Sequence, residues 1–152
     1  MLNHQELKKY NPQRYPIALI DRVIKLELGE QITAIKAVTA TESCYRHIDA
    51  DADISAMAYP TSLITESFCQ AAGPLCAKSG MDFISRVMLF VSMNGVVFHQ
   101  PVFPGDVMTH TVRITKLLSS SVVLCGEVHV GSDLVAEFDQ IVVTAKEKLD
   151  SD

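Results

Sequence analysis

The sequence predicts an α+β fold in which one long apolar helix is wrapped by a curved antiparallel sheet. A nearly uncharged run in the middle of the chain has helical length, and about five or six runs of strand length lie around it. Short turns link most of these runs, as in an antiparallel meander. The 152 residues suffice for one domain with its own core, so residues 1–152 are expected to form a single domain.

The central helix is predicted between Pro60 and Gly80. Pro60 is suited to a helix start, and Thr61 or Ser62 can cap or open the first turn. Gly80 is suited to the C-terminal stop, because glycine readily adopts the left-handed conformation found there.

The interior of this helix carries only two charges, Glu66 and Lys78. A helix that is apolar on nearly every side is buried. The dipeptide formed by Gly73 and Pro74 predicts a kink or an interruption, since proline removes one helical hydrogen bond.

The strands are predicted on both sides of this helix. A short helix with Asn3 as N-cap and Pro12 just beyond its end comes first. Two strands are then predicted within RYPIALIDRVIKLELGEQITAIKAVT, with LGEQ as the turn in which Gly29 provides the permissive backbone. After Gly80, runs rich in β-branched residues predict the remaining strands. They are SRVMLFVSMNGVVFHQPVF, VMTHTVRITKL, SSVVLCGEVHV and DLVAEFDQIVVTAKE.

Composition excludes several classes of protein. The net charge of -5 argues against general binding of nucleic acid. The uncharged runs are too interrupted for a membrane span, and no signal segment is recognised at the N-terminus. No C-x-x-C pair occurs, so reduced thiols and a cytoplasmic location are expected. The cysteines are Cys44, Cys69, Cys76 and Cys125.

Three alternating acids, Asp49, Asp51 and Asp53, resemble the opening of an EF-hand calcium loop. That loop needs glycine at its sixth position and an acid at its twelfth, which here are Ile54 and Pro60. A solvated acidic loop is therefore the better interpretation, and no metal site is predicted.

Glu66 is the strongest candidate for chemistry. Its helical neighbours are Ser62, Leu63, Cys69 and Gln70, so no local cation can offset burial. Desolvation favours the uncharged acid, which can donate a proton near neutral pH. Gln70, one turn later, can hold its orientation. The alternative is that Glu66 faces water or a dimer contact and has no chemical role.

His47 is a weaker candidate. Imidazole changes charge near neutral pH and can act as a base. The same holds for any histidine in a loop, so on the residues alone a surface position is the simpler interpretation.

Three blocks of sequence resemble the 3-hydroxyacyl-acyl carrier protein dehydratases of the hotdog-fold superfamily. They are RYPIALIDRV with ITAIKAVT, YPTSLITESFCQAAG, and VVFHQPVFPGD, and they occur in the family's order. The resemblance spans about residues 7–146. It implies a hotdog fold, in which a helix is wrapped by an antiparallel sheet.

The resemblance also assigns site residues. In the family stretch G-H-F-P-G-x-P-V-M-P-G-V-L-x-x-E-A-x-A-Q, the glutamate matches Glu66 and the glutamine matches Gln70. The proline that opens the helix matches Pro60. The glycine after it is replaced by Thr61, whose N–H is then implied to polarise the thioester carbonyl.

The histidine of that stretch is not preserved at its position. Counting back from Glu66 places Ala52 there, and counting forward from TESCYRH places Ile48 there, one residue after His47. The loop is thus longer than the family's, and His47 reaches the site only if the extra residues bulge outward.

If the family's chemistry is intact, a base takes the α-proton of a 3-hydroxyacyl thioester and Glu66 protonates the departing hydroxyl. In the family the histidine and the acid come from different subunits, which implies a homodimer, and some relatives form hexamers. The substrate is carried on the phosphopantetheine of an acyl carrier protein, so no cofactor is implied. Candidate docking residues for this acidic partner are Arg14, Lys78 and Arg86.

Three functions remain open from the sequence. The first is a dehydratase in fatty acid or polyketide-type biosynthesis, with the longer loop favouring a specialised pathway. The second is a non-catalytic hotdog subunit that binds an acyl chain or a partner, having lost the base. The third is a hotdog thioesterase, in which the acid activates water.

Overall fold

The computed structural model describes residues 1–80 and 86–147, which form six antiparallel strands and one long helix. The α+β prediction is confirmed. The elements are α1 (His4–Leu7), β1 (Arg22–Glu27), β2 (Gln31–Ala37), two 3-10 turns (Ser43–Tyr45 and Ile54–Met57), α2 (Thr61–Lys78), β3 (Arg86–Phe98), β4 (Val107–Leu117), β5 (Ser121–Val130) and β6 (Asp133–Glu147).

The sheet is not a simple meander, because β3 lies at the far edge. The strand order is β1-β2-β4-β5-β6-β3, with every pair antiparallel. The physical reason is that α2 intervenes between β2 and β3 and packs on β1, β2 and β4, so the chain re-enters the sheet beside β6. β1 and β3 are therefore the two edge strands.

Two predictions for the N-terminal part of the chain are confirmed, the helix capped by Asn3 and the turn at Gly29. Asn3 caps α1 in a reciprocal capping box with Glu6, which satisfies two backbone N–H groups at the helix start. Gly29, with φ of 78°, makes the turn between β1 and β2. The first strand, however, starts only at Arg22, because the chain before it runs along α2 instead of pairing in the sheet.

The core lies between α2 and the concave face of the sheet. Phe68 of α2 stacks on Phe138 of β6, with ring centroids 4.0 Å apart. Gly126 of β5 makes room for this ring, since a Cβ there would lie 2.8 Å from Phe68 Cζ and 2.0 Å from the Thr111 carbonyl oxygen. This packing fixes how α2 is rotated on the sheet, and hence where Glu66 points.

Two polar residues occupy inward positions of this core. His110 of β4 is fully buried and its Nε2 lies 2.7 Å from Ser67 Oγ of α2. Lys36 of β2 is also buried, and it pairs with Glu42. Buried charges require such partners, because desolvation of an unpaired ion is costly.

None of the helices in the described ranges is sufficiently long and apolar to cross a lipid bilayer.

Candidate active site

Glu66 lies in the second turn of α2 and is half-buried. Its Oε1 accepts two hydrogen bonds, from Gln70 Nε2 at 2.7 Å and from Gln13 Nε2 at 3.2 Å. Within residues 1–80 and 86–147, no cation forms a salt bridge with this carboxyl. The acid is therefore held by neutral amide donors and not by an ion pair.

Gln70 is buried, and its side-chain amide is fully engaged. Its Oε1 accepts from the Leu19 backbone N–H at 2.9 Å, and its Nε2 donates to the Ile17 carbonyl at 2.8 Å as well as to Glu66. This network ties α2 to an irregular segment, residues 10–20, which we call the N-terminal strap. The strap covers the side of α2 that carries Glu66.

The strap also explains how a proline is accommodated inside α2. Of the predicted kink or interruption, the interruption is wrong, because the helix runs unbroken through Pro74. Pro74 has no N–H to offer the Gln70 carbonyl, and Asn11 Nδ2 of the strap donates to that carbonyl at 2.9 Å instead. Gly73 permits this approach, since a Cβ there would lie 2.2 Å from Asn11 Oδ1.

Arg14 fixes the shape of the strap. Its guanidinium donates to the backbone carbonyls of Asn11 and Gln13 at 2.8 Å each, and to that of Lys8 at 3.3 Å. Arg14 was a candidate for carrier-protein docking, and its donors are committed to these carbonyls. Lys78 is exposed beside the Tyr10 ring, and the Arg86 side chain lies outside the part of the chain that the structure describes.

The start of α2 presents free backbone donors. Pro60 occupies the N-cap position and provides no side-chain cap, and Thr61 is the first helical residue. The Pro60 carbonyl accepts from Leu63 and Ile64, whereas the N–H groups of Thr61 and Ser62 have no partner among the described residues. Such N–H groups, at the positive end of the helix dipole, favour a ligand atom that gains negative charge.

His47 lies on an exposed turn, directly after the 3-10 turn Ser43–Tyr45. Within one chain no hydrogen bond joins it to Glu66, so the structure does not bring the two candidates together in a single protomer. The acidic residues that follow are exposed, and Asp53 caps the next 3-10 turn by accepting from the Ser55 N–H at 2.9 Å.

Both ends of the loop that carries His47 are anchored. At its start, Lys36 donates to Glu42 and to the Ala37 carbonyl. At its end, the Tyr59 N–H donates to the Val102 carbonyl at 2.7 Å, immediately before α2. A groove of about 350 Å³ runs between the strap and the first part of this loop.

The thiol beside Glu66 is inert. Burial raises the pKa of the Cys69 thiol to about 12, and the nearby Glu66 carboxyl makes a smaller contribution in the same direction. A thiol with such a pKa stays protonated and is a poor nucleophile. All four cysteines are free, and no cluster of three or more metal-ligating side chains occurs within the described residues.

Asn11 and Gln13 contact the helix that carries the acid, and the sequence did not predict either contact. One signal was available, because a proline inside an apolar helix leaves a buried carbonyl that needs a donor from elsewhere. No local pattern identifies which distant side chain provides it.

Comparison with known proteins then decides the family. The model of the FabA-like domain matches residues 11–139. The chain belongs to the FabA-like domain family. Among its relatives, the 3-hydroxyacyl-[acyl-carrier-protein] dehydratase FabZ of Campylobacter fetus is 34% identical over 142 residues, which cover 90% of this chain and 93% of that protein. FabZ of Actinobacillus pleuropneumoniae is 35% identical over 135 residues, or 88% and 85% of the two chains.

Solved structures confirm the hotdog-type fold of this FabA-like chain. The dehydratase heterocomplex ApeI:P from Xenorhabdus doucetiae superposes with a TM-score of 0.75 at 14% identity, covering 93% of this chain and 91% of that one. The PaaI protein of E. coli superposes with a TM-score of 0.68 at 14% identity, covering 95% and 91%. At these identities the similarity concerns the fold alone.

Proposed function

We propose that this FabA-like protein dehydrates 3-hydroxyacyl thioesters carried on an acyl carrier protein, as a step of fatty acid biosynthesis. The product is the trans-2-enoyl thioester. The observation that carries the proposal is the Glu66 carboxyl, which is half-buried, free of any ion pair among the described residues, and oriented by two amides on the central helix of a FabA-like fold.

In the proposed reaction a base removes the α-proton, and the electrons of that C–H bond form the C2–C3 double bond. The C3–O bond breaks, and Glu66 gives its proton to the departing hydroxyl, which leaves as water. The free N–H of Thr61 stabilises the charge that develops on the thioester oxygen. Transfer of the proton from the base back to Glu66 restores the enzyme.

His47 is the proposed base, contributed to the site by the partner subunit. Its place on an exposed turn of an anchored loop is compatible with reaching a neighbouring protomer. Residues 49–53, which follow His47, are exposed. The proposed role requires this segment to lie outside the site, so that the His47 ring reaches the substrate held by Glu66 of the partner subunit.

We propose a homodimer that pairs through β3. This edge strand has 13 residues and exposes the apolar side chains of Leu89, Val91, Val97 and Phe98. A long apolar edge is a template for pairing with another strand, and a soluble protein normally protects it. Pairing of two β3 strands would cover this edge and supply the second subunit that the proposed mechanism needs.

Val91→Lys is expected to weaken dimer association by about tenfold or more, because each protomer adds a charge to the paired edge. Val91 is 62% exposed on β3. Val107→Lys, on the central strand β4, is the matched control and should not alter association. Sedimentation velocity across a concentration series measures both, and equal dissociation of the two variants would contradict pairing through β3.

The activity is tested with a 3-hydroxyacyl-carrier protein as substrate and mass-spectrometric detection of products. Enoyl product supports the dehydratase, and free acid instead would establish a thioesterase. No turnover, together with thermal stabilisation by the acyl thioester, would establish a binding subunit. A His47→Ala variant that keeps full dehydratase activity would show that the base lies elsewhere.

The cytoplasm is the proposed location, where the acyl carrier protein is the expected partner. Reduced thiols and a substrate held on phosphopantetheine suit this compartment. No cofactor is required by the proposed reaction, since it is an elimination of water without change of oxidation state overall.

A further inference from the structure

Gln13 and Gln70 place their N–H groups on the same oxygen of Glu66. Gln13 Nε2 lies 3.2 Å and Gln70 Nε2 lies 2.7 Å from Oε1, whereas Oε2 has no hydrogen-bond partner among the described residues. The two carboxyl oxygens therefore have different environments. One is saturated with donors, and the other is free for an external group.

The orientation of the Gln70 amide cannot be reversed. Its carbonyl oxygen is required by the Leu19 N–H, and its Nε2 is required by the Ile17 carbonyl. A reversed amide would put two acceptors together and two donors together. Nε2 of Gln70 thus always faces Glu66, so Oε1 is an obligatory acceptor and a proton on this carboxyl must reside on Oε2.

Gln13 reinforces this asymmetry from the strap. Its backbone carbonyl accepts from the Arg14 guanidinium, and Asn11, two residues earlier, anchors the strap by donating to the Gln70 carbonyl. The side-chain Oε1 of Gln13 is buried without a hydrogen-bond partner among the described residues. An unsatisfied buried carbonyl lowers the stability of the fold, so its presence needs a reason other than stability. The one hydrogen bond that this side-chain amide makes among the described residues is to Glu66.

We propose that Gln13 is a positioning residue for the dehydration, acting through Glu66. Together with Gln70 it holds Oε1 as the carbonyl oxygen, so that Oε2 carries the proton that passes to the 3-hydroxyl of the substrate. The N–H of Gln13 also stabilises the carboxylate formed as that proton leaves. This inference rests on the proposed dehydratase function and adds the residue and the oxygen atom through which the acid works.

Gln13→Met tests the proposal, because methionine keeps the length of the side chain and removes the N–H donor. We expect kcat to fall about tenfold with KM nearly unchanged, since the lost hydrogen bond acts on the charge formed in the transition state. Gln13→Glu, which adds a negative charge beside the acid, should lower kcat further. Gln100→Met removes an amide donor from an exposed hydrogen bond, to the Leu134 carbonyl, and is the control with unchanged kcat.

A spectroscopic measurement tests the contact without reference to turnover. Proteins labelled with [13C]glutamate give a Cδ resonance for Glu66, which Glu66→Gln identifies by its disappearance. We expect this resonance to move at fixed pH in Gln13→Met and to stay in place in Gln100→Met. Thermal unfolding of each variant confirms that the fold is retained.

The two readouts separate the inference from the proposed function. A wild-type protein without dehydratase activity whose Glu66 resonance still responds to Gln13→Met would overturn the function and the role of Gln13 in it, while the contact itself would stand. An active enzyme in which Gln13→Met leaves both kcat and the resonance unchanged would overturn the positioning role alone. So would a variant that raises KM and leaves kcat unaltered, because Gln13 would then act on substrate binding.

Discussion

Glu66→Gln is expected to lower kcat for dehydration by about 10²–10⁴-fold, the contribution typical of a positioned general acid. Glutamine has the shape of glutamate, and its carbonyl oxygen can still accept from Gln70 and Gln13. It has no proton that can be released near neutral pH. The substitution therefore removes the chemistry and leaves the hydrogen-bond network of the helix in place.

The measurement is a steady-state assay of enoyl-thioester formation, with thermal unfolding recorded on the same preparations. Glu30→Gln, at the exposed turn between β1 and β2, is the matched control and should keep full activity. We expect KM of Glu66→Gln to change little, because the lost interaction is made in the transition state. A folded Glu66→Gln protein with more than about a tenth of the wild-type kcat would contradict the acid role.

The sequence predicted α2 and its acid because both depend on local information. An almost uncharged run of helical length must be buried, and a lone carboxyl within it stands out against that background. The limits of the helix followed from Pro60 and Gly80, and the structure places them within two residues of the prediction. The family resemblance added that the carboxyl is the acid of an elimination.

The residues that orient the acid were not predictable in this way. Asn11 and Gln13 belong to an irregular segment, and their partners on α2 lie more than 50 residues away in the chain. Both side chains are polar and adjoin Pro12, which locally indicates only a loop. Tertiary packing selected them, because Pro74 and a half-buried carboxyl both leave hydrogen-bonding needs that the helix cannot meet.

The position of β3 in the sheet was also not predictable from the sequence. Strand patterns identify strands, yet they do not say which edge of the sheet a strand joins after a long connection. The helix between β2 and β3 carries the chain across the sheet, so β3 pairs with the last strand and not with β2. The outcome matters for function, since it makes a long apolar strand available at an edge.

The buried His110 contacts the helix that carries Glu66, and its protonation affects the stability of the fold at low pH. Ser67 Oγ of α2 lies 2.7 Å from His110 Nε2 and donates to the Ile64 carbonyl at 2.9 Å. His110 Nδ1 has no hydrogen-bond partner among the described residues. Burial is the main cause that lowers the pKa of His110, to about 3, and the positive charge of Lys36 acts in the same direction. Nearby backbone carbonyls oppose this shift.

This lowered pKa predicts a loss of stability in acid. Above pH 6.5, the ordinary histidine value, the ring is neutral in both the folded and the unfolded chain and pH has no effect through it. Between pH 6.5 and about 3 the unfolded chain binds a proton that the folded chain does not, so folding becomes less favourable as pH falls. The expected loss is roughly 1–2 kcal/mol per pH unit within this window.

The measurement is urea denaturation at pH 7, 6, 5 and 4, on the wild type and on His110→Gln, whose amide can bond to Ser67 Oγ and does not titrate. The carboxylates contribute equally to both proteins, so the difference between their slopes isolates His110. Gln100→Met, which replaces an exposed side chain and removes no titrating group, should retain the wild-type slope. Because Ser67 directly follows Glu66, loosening of this contact in acid would also displace the proposed catalytic acid. Parallel loss of stability in the wild type and His110→Gln would mean that the ring is not held uncharged in the core.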